Sequence, residues 1–482
     1  MNKRLVIHLL SKLLVIEIGL LVPALAIALY QGEDPLPFLY TMLALAVVGL
    51  PGMLRKPIDR GLNAKEGFVV VGLAWVLLSA FGALPFMFSG VTTWYWDALF
   101  ETVSGFTTTG ASVLPAVEGL PYGILFWRSF THWVGGMGVL VLTLALLPGI
   151  GSHTTHLARA ESPGPSYSKL LPKMADNSRI LYIIYAVMTV VLIVALIISG
   201  MPVFDSLIHA MGTAGTGGFS NRNVSVGAYN NPVAEVLITV FMLLFGVNFT
   251  VYYRLLMGHG RKALRNDELR AYLLLAVGSM AVVTISLLQY YGGFFTALRH
   301  ASFQVSTIMS TTGFASDNFN LWPNFTRLVL LLLMLIGASA GSTAGGIKVV
   351  RMVLMGRVAR REVARTLHPR KVEVVKLDGK AVPEETLSQV GIFMFVYFML
   401  LFLGTLVASL DGHDFISCFS AAASCLSNIG PGFEVVGPHS NFGSFSPFVK
   451  YFLSFLMLAG RLEFFPLLVL FHPDVWRRSN GR

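Results

Sequence analysis

Four short stretches rich in glycine, serine and threonine carry the chemistry available to this chain. They are Thr107-Thr108-Thr109-Gly110-Ala111, Gly215-Thr216-Gly217-Gly218-Phe219, Ser310-Thr311-Thr312-Gly313-Phe314 and Ser427-Asn428-Ile429-Gly430-Pro431. A cation leaving water must exchange its hydration shell for protein oxygens, and rings of backbone carbonyls can supply them. Glycine serves that purpose because it lets the backbone aim a carbonyl where a Cβ would obstruct it. The candidate oxygen donors are therefore Thr108, Thr109 and Gly110; Thr216, Gly217 and Gly218; Thr311, Thr312 and Gly313; and Asn428, Ile429 and Gly430. One such tripeptide would be read as a site of close helix contact, as small residues often are in membranes. Four in matching register point to ion permeation.

The elements that must position these loops are apolar. The chain is 482 residues long, 55% hydrophobic and only 12% charged, with a mean hydropathy of +0.69, whereas soluble domains carry about 25% charged residues. The bilayer is its solvent. Apolar runs that approach or exceed the ~20 residues needed to span lie at 5–30, 37–54, 67–90, 124–149, 179–200, 233–257, 270–291, 326–338, 388–410 and 448–471. The first run is long and interrupted by Lys12, which argues against a cleaved leader. Each Gly/Thr stretch falls between two runs and follows a segment the length of a short helix, whose C-terminal dipole would face the ion. Asp97 and Asp205 stand equally far before Gly110 and Gly218, with His300 at that place before Gly313. They are read as N-caps or as attractors of cations at the outer mouth.

A formal charge of +10 would suggest nucleic acid in a soluble protein. Here Arg and Lys gather in alternate loops: Lys3 and Arg4; Arg55, Lys56, Arg60 and Lys65; Lys169, Lys173 and Arg179; Arg254, Arg261, Lys262, Arg265 and Arg270; Lys348 through Arg370 to Lys380; and Arg477, Arg478 and Arg482. The intervening loops are acidic, so the positive-inside rule places both termini in the cytoplasm. No nucleic-acid role follows. Every repeat then starts and ends inside, giving four parallel copies about one axis. Trp94, Trp96, Trp127 and Trp133 suit packed or interfacial positions. Cys418 and Cys425 are too few for a disulfide framework.

A second informative stretch runs Gly337, Ala338, Ser339, Ala340, Gly341, Ser342, Thr343, Ala344, Gly345 and Gly346. Glycine disfavours helix and Ser/Thr compete for backbone hydrogen bonds. Irregular backbone at membrane depth is tolerated where it is buried in protein or lines a cavity. Tight helix packing is the alternative, and the phosphate-binding pattern GxxxxGK[ST] is absent. Arg461 lies inside the last apolar run, where an arginine must face a partner or water. Glu463 is not that partner, since residues two apart on a helix do not face each other. Lys348 is read as an anchor at the basic side. The sequence holds neither an HExxH metal motif nor a GxSxG elbow, and His132 is read as a packed polar residue.

Together with Trp133-Val134-Gly135-Gly136-Met137-Gly138, Gly341-Ser342-Thr343-Ala344-Gly345-Gly346-Ile347-Lys348 and Gly460-Arg461-Leu462-Glu463, the four loops resemble the Trk/Ktr/HKT superfamily of potassium transporters over essentially the whole length. The resemblance implies that Gly110, Gly218, Gly313 and Gly430 are filter glycines, and that glycine at the first site accompanies potassium preference. It implies that residues 337–346 form an intramembrane gate loop and that Arg461 lies below the filter as an electrostatic barrier. It also implies a homodimer and a TrkA-like cytosolic nucleotide-binding ring of RCK type, with ATP or NADH bound by that partner.

The expected architecture is an all-α membrane protein: a two-helix N-terminal region (1–66) and four pseudo-symmetric helix, re-entrant loop, helix repeats around a central pore at 67–150, 151–257, 258–370 and 371–482, the third with its second helix interrupted. The expected function is K+ uptake across a bacterial inner membrane, K+ being the transported ion, with no organic cofactor in this chain and contact with membrane lipid. A secondary transporter coupling K+ to H+ or Na+ is the alternative, with Glu17 and Glu235 as its candidate carboxylates. The filter sequences are looser than TVGYG, so weaker K+/Na+ discrimination is expected.

Overall fold

Asn2 opens the first helix by accepting the N–H of Leu5 (3.1 Å). From there a computed structural model describes residues 2–55, 57, 63–138, 174–370 and 373–473. The far half of the run at 124–149 lies outside them, as do Lys56, Arg60, Lys169, Lys173, Arg477, Arg478 and Arg482. Helices α1 (Lys3–Tyr30) and α2 (Leu36–Leu54) pack on each other, and α1 leans on α3 and α6. An Asn63/Glu66 capping box starts α3 (Ala64–Gly82), satisfying two orphan N–H groups of the first turn. The short α4 (Leu84–Phe88) follows it.

Four times a long helix is followed by a short one, a loop and a second helix. The first repeat has α3, then α5 (Tyr95–Phe106) and α6 (Tyr122–Gly136). The second has α7 (Met174–Ile198), α8 (Val203–Gly215) and α9 (Pro232–Phe245), followed by α10 (Phe249–Leu256) and α11 (Gly260–Leu264). The third has α12 (Asp267–Tyr291), α13 (Phe294–Met309) and α14 (Asn324–Ile336), followed by α15 (Val349–Leu367). The fourth has α16 (Glu384–Ala408), α17 (Phe415–Ser427) and α18 (Pro447–Arg461), followed by α19 (Phe465–Phe471). Short helices α8, α13 and α17 pack on α6, α9 and α14, the second helix of the preceding repeat. Helix α5 packs on α18, so the four repeats close into a ring.

The second helices depart from the continuous runs expected of the sequence. Helix α9 ends at Phe245 and α10 leaves at 88°. Asn248 restarts the chain by accepting the N–H of Thr250 (2.9 Å). Helix α18 ends at Arg461, Glu463 and Phe464 take positive φ (53° and 69°), and Pro466 falls in the first turn of α19. Proline suits that place because its missing N–H is unpaired there anyway. For this reason six of the described helices, or seven with the bent pair, are long and apolar enough to cross a membrane, where ten runs were expected. The connection between the third and fourth repeats adds a small antiparallel hairpin to the helical fold, β1 (Lys376–Leu377) with β2 (Lys380–Ala381).

Candidate cation site

The four short helices end in the same cap. Thr108, Thr216, Thr311 and Asn428 all sit in the left-handed region, with φ of 56°, 55°, 57° and 56°. The N–H of the next residue reaches back to close the last turn: Thr109 to Ser104 O (2.8 Å), Gly217 to Gly212 O (2.9 Å), Thr312 to Thr307 O (2.8 Å) and Ile429 to Ser424 O (3.0 Å). This is the Schellman pattern, and it turns the chain out of the helix at one level in all four repeats. Gly110, Gly218, Gly313 and Gly430 follow, with φ of 81°, 76°, 85° and 105°.

The four loops meet in cyclic order. A Cβ placed on Gly110 would lie 1.9 Å from Gly217 O, on Gly218 2.0 Å from Thr312 O, on Gly313 2.0 Å from Ile429 O, and on Gly430 2.8 Å from Thr109 O. Each glycine is thus the close-approach point for the carbonyl preceding the next glycine. All four glycines line one open vestibule, whose described lining contains no carboxylate. Its cationic side chains are Arg128 and Arg222, paired with Glu101 at 2.6 Å and Asp205 at 3.6 Å. Partial burial holds His439, at the rim, below the ordinary histidine range against the pull of Asp317. It therefore adds little charge to the mouth near neutral pH. The Gly430 carbonyl accepts the Ser424 hydroxyl (2.7 Å), and the Asn428 amide donates to Thr109 Oγ1 (2.9 Å), so the fourth loop is tied to the first.

Behind the loops stands a buried ion pair that the sequence reading missed. Glu101 in α5 accepts Arg128 Nε (2.6 Å), Ser112 Oγ (3.0 Å) and the N–H of Val113 (3.0 Å). Arg128 in α6 donates to Ser220 O (3.0 Å) and lies 3.5 Å over the Phe219 ring. The pair braces the outgoing limbs of the first two loops against each other. Its signal was available, since a Glu and an Arg inside apolar sequence demand partners.

The segment from Gly337 to Gly346 is an irregular loop whose ends return to each other. Ile347 and Lys348 donate their N–H groups to Leu335 O (3.1 Å) and Ile336 O (2.8 Å), and Val349 donates to Ala338 O (3.0 Å). The loop presses on the caps above it: the N–H of Gly345 donates to Thr311 Oγ1 (2.8 Å), and a Cβ there would meet Ser427 O at 2.1 Å. It also fills the break between α9 and α10. Ser339 donates its N–H to Gly246 O (3.1 Å), Phe249 donates its N–H to Gly341 O (3.0 Å), and the Thr343 hydroxyl donates to Phe245 O (3.3 Å). The Ser342 hydroxyl closes an internal turn on Ser339 O (2.6 Å), and Ala338 and Ala344 are buried. Arg461 joins this loop to the first repeat, donating to Thr343 O (2.7 Å) and Gly136 O (2.8 Å) and also to Gly135 O.

The expectations for Lys348, Asp97 and Asp205 are corrected here, while those for His132, the tryptophans and Glu463 agree with the structure. Lys348 is no exposed anchor: it is 2% exposed, has φ 83°, and its ammonium donates to Ala344 O. Asp97 and Asp205 lie in the first turns of α5 and α8, while Trp94 and Pro202 hold the cap positions. Asp97 pairs with Lys450 (2.9 Å), and Asp205 accepts Asn221 (2.7 Å) and Tyr229 (2.7 Å). Trp127 and Trp133 are packed within the fold, whereas Trp94 and Trp96 are exposed. His132 is buried with Nδ1 at 2.8 Å from Gly105 O, a packed polar residue. Glu463 turns to Arg351, which also lies 3.8 Å over Phe393.

Comparison with known proteins agrees with this geometry. The family model described as "TrkH: Cation transport protein" matches residues 37–478. The Trk system potassium uptake protein TrkH of Salmonella typhimurium is 37% identical over 464 residues, covering 95% of this chain and 96% of that protein. The Trk system potassium uptake protein TrkG of Escherichia coli is 34% identical over 467 residues, with 95% of each covered. The crystal structure of the potassium transporter TrkH from Vibrio parahaemolyticus matches with a TM-score of 0.89 at 32% identity, covering 99% of this chain and 100% of that one. A ring of four capped loops in an apolar, multi-pass helical chain, matched along nearly its whole length, places this protein in the TrkH family of cation transport proteins; it is a transporter, not an enzyme.

Proposed function

We propose that the chain mediates K+ uptake across a bacterial inner membrane, with the four loops as its selectivity filter. The observation that carries this reading is the cyclic approach of each filter glycine to the carbonyl of the next loop. Backbone oxygens so arranged can replace a hydration shell with no charged side chain at the ion. The relatives named as potassium uptake proteins, and glycine rather than serine at position 110, favour K+ as the cargo. Loop 337–346, pressed under Thr311 and Ser427, serves as the gate, and Arg461 is its positive barrier. The unit boundaries at 66, 150, 257 and 370 and the cytoplasmic termini follow from the repeat pattern and the basic loops.

Uncoupled conduction is the version the side chains favour. Glu235 is in an ion pair with Arg299 (3.2 Å), and Glu17 is buried beside Gly82, away from the vestibule lining. Regulation comes from a TrkA-like cytosolic nucleotide-binding ring docked on a homodimer, since a gate can be shifted only by a ligand that binds its two states unequally. Uptake of ⁸⁶Rb⁺ into proteoliposomes holding the purified protein tests the proposal. Uptake competed by K+, with a reversal potential in K+/Na+ mixtures that follows K+ and is insensitive to pH, is the expected result. Uptake that requires a proton or Na+ gradient points to the coupled alternative.

A further inference from the structure

The side of loop 337–346 away from Arg461 is held by a carboxylate that the transport reading leaves unused. Glu268 belongs to the first turn of α12, which Asn266 caps by accepting the N–H of Leu269 (2.8 Å). It is 5% exposed, and its Oε1 accepts the N–H of Ala340 at 2.6 Å. The Asn248 side chain, at the break between α9 and α10, lies against the same loop, where a Cβ on Gly341 would meet its Oδ1 at 3.2 Å. One side chain therefore ties the first turn of α12 to the outgoing limb of the loop. When ionised, a carboxylate accepts hydrogen bonds roughly twice as strong as those to a neutral acceptor.

The turn that carries Glu268 is itself fastened to the hairpin between the third and fourth repeats. Asp267 accepts Arg357 Nη2 (2.9 Å) and the N–H of Asp378 (3.0 Å). Asp378 in turn accepts the N–H of Asp267 (2.8 Å) and the Asn266 amide (2.8 Å). The hairpin and the start of α12 are thereby joined by three hydrogen bonds.

We propose that Glu268 is a positioning residue, the latch that holds loop 337–346 against Thr311 and Ser427 and so sets the basal cation flux. The inference rests on the reading of that loop as the gate. Closure is favoured by the hydrogen bond from Ala340 to the carboxylate, and opening the loop strips it away. Glutamine in its place keeps the volume and offers only one carbonyl oxygen, with an NH2 turned toward donors.

The test uses the full-length protein in proteoliposomes, reading ⁸⁶Rb⁺ uptake and the K+/Na+ reversal potential for the parent, Glu268→Gln, Glu268→Asp and a deletion of residues 338–344. Loss of a charge-assisted bond should raise basal uptake by Glu268→Gln about tenfold, with the reversal potential unchanged because the filter is untouched. Glu268→Asp, which keeps the charge and shortens the reach, should give a smaller rise. If the deletion raises uptake while Glu268→Gln stays at the parental rate, the latch is wrong and the gate stands. If the deletion itself leaves uptake unchanged, the gate reading fails and the latch fails with it. A shifted reversal potential in Glu268→Gln would mean the residue acts through the filter, which also overturns the proposal. Should Glu268→Gln not yield monodisperse protein, Glu268→Asp decides by the same two readouts: raised uptake at an unchanged potential supports the latch, and parental uptake removes it.

Discussion

Gly110 combines a φ of +81° with a neighbouring carbonyl 1.9 Å from where a Cβ would sit. A serine there must first accept the left-handed backbone, at a cost of about 1–2 kcal/mol, and then push aside the second loop at Gly217. The expected result for Gly110→Ser is a displaced loop pair with relaxed K+ preference and reduced thermal stability, not the change in ion preference alone that the sequence suggests. Reversal potentials and melting temperatures of the purified variant check both halves, and a variant matching the parent in each would remove Gly110 from the ring. The recurrence of Thr and Gly was legible because it is local. The partners of the buried charges were not: Glu101 meets Arg128, Arg351 meets Glu463 and Arg461 meets Thr343 O across stretches of chain that no spacing rule connects.

Among the elements, the short helices could be anticipated from their apolar stretches and following Gly/Thr loops, and the interruption of the third repeat's second helix from its Gly/Ala/Ser stretch, while the break between α9 and α10 could not. The run at 233–257 is apolar throughout, yet α9 stops at Phe245 because Gly246 lies against Tyr272 and Asn248 supplies a fresh cap. Hydropathy reports solvent preference and is blind to such caps. At Arg461, where α18 ends ahead of Pro466, the guanidinium turns to Thr343 O and the carbonyls of Gly135 and Gly136. If this side chain holds the gate loop to the first repeat, Arg461→Ala should raise basal ⁸⁶Rb⁺ uptake about tenfold, the scale set by losing a charged donor. Uptake at or below the parental rate in well-folded protein would make Arg461 a packing residue.

For the whole molecule, the sequence reading correctly anticipated an all-helical membrane protein with fourfold internal repetition, because composition and register are properties of the entire chain. What it could not see was which cations of the connection between the third and fourth repeats are already engaged. Arg357 is bound to Asp267 and Arg361 to Glu384, whereas Arg360 is exposed on the same helix. Replacing all three would loosen α15 as well as any docking surface. The cleaner experiment is Arg360→Gln, expected to weaken pull-down of a TrkA-like ring several-fold while leaving the melting temperature within about 0.5 kcal/mol-equivalent of the parent, as exposed substitutions generally do. Undiminished binding would take this face of α15 out of the contact.

The ring of oxygens is assembled from four loops written separately in one chain, capped by threonine three times and asparagine once. In an assembly of four identical subunits, a single codon change alters every quarter of the opening together. Here it alters one. With the loops as the proposed selectivity filter, ion preference can be adjusted in quarter steps, three unaltered loops preserving the opening while the fourth is tried in a new form. The fourth loop, where Asn428 stands in place of threonine and Ser424 engages the Gly430 carbonyl, is a quarter in which divergence has already been accommodated.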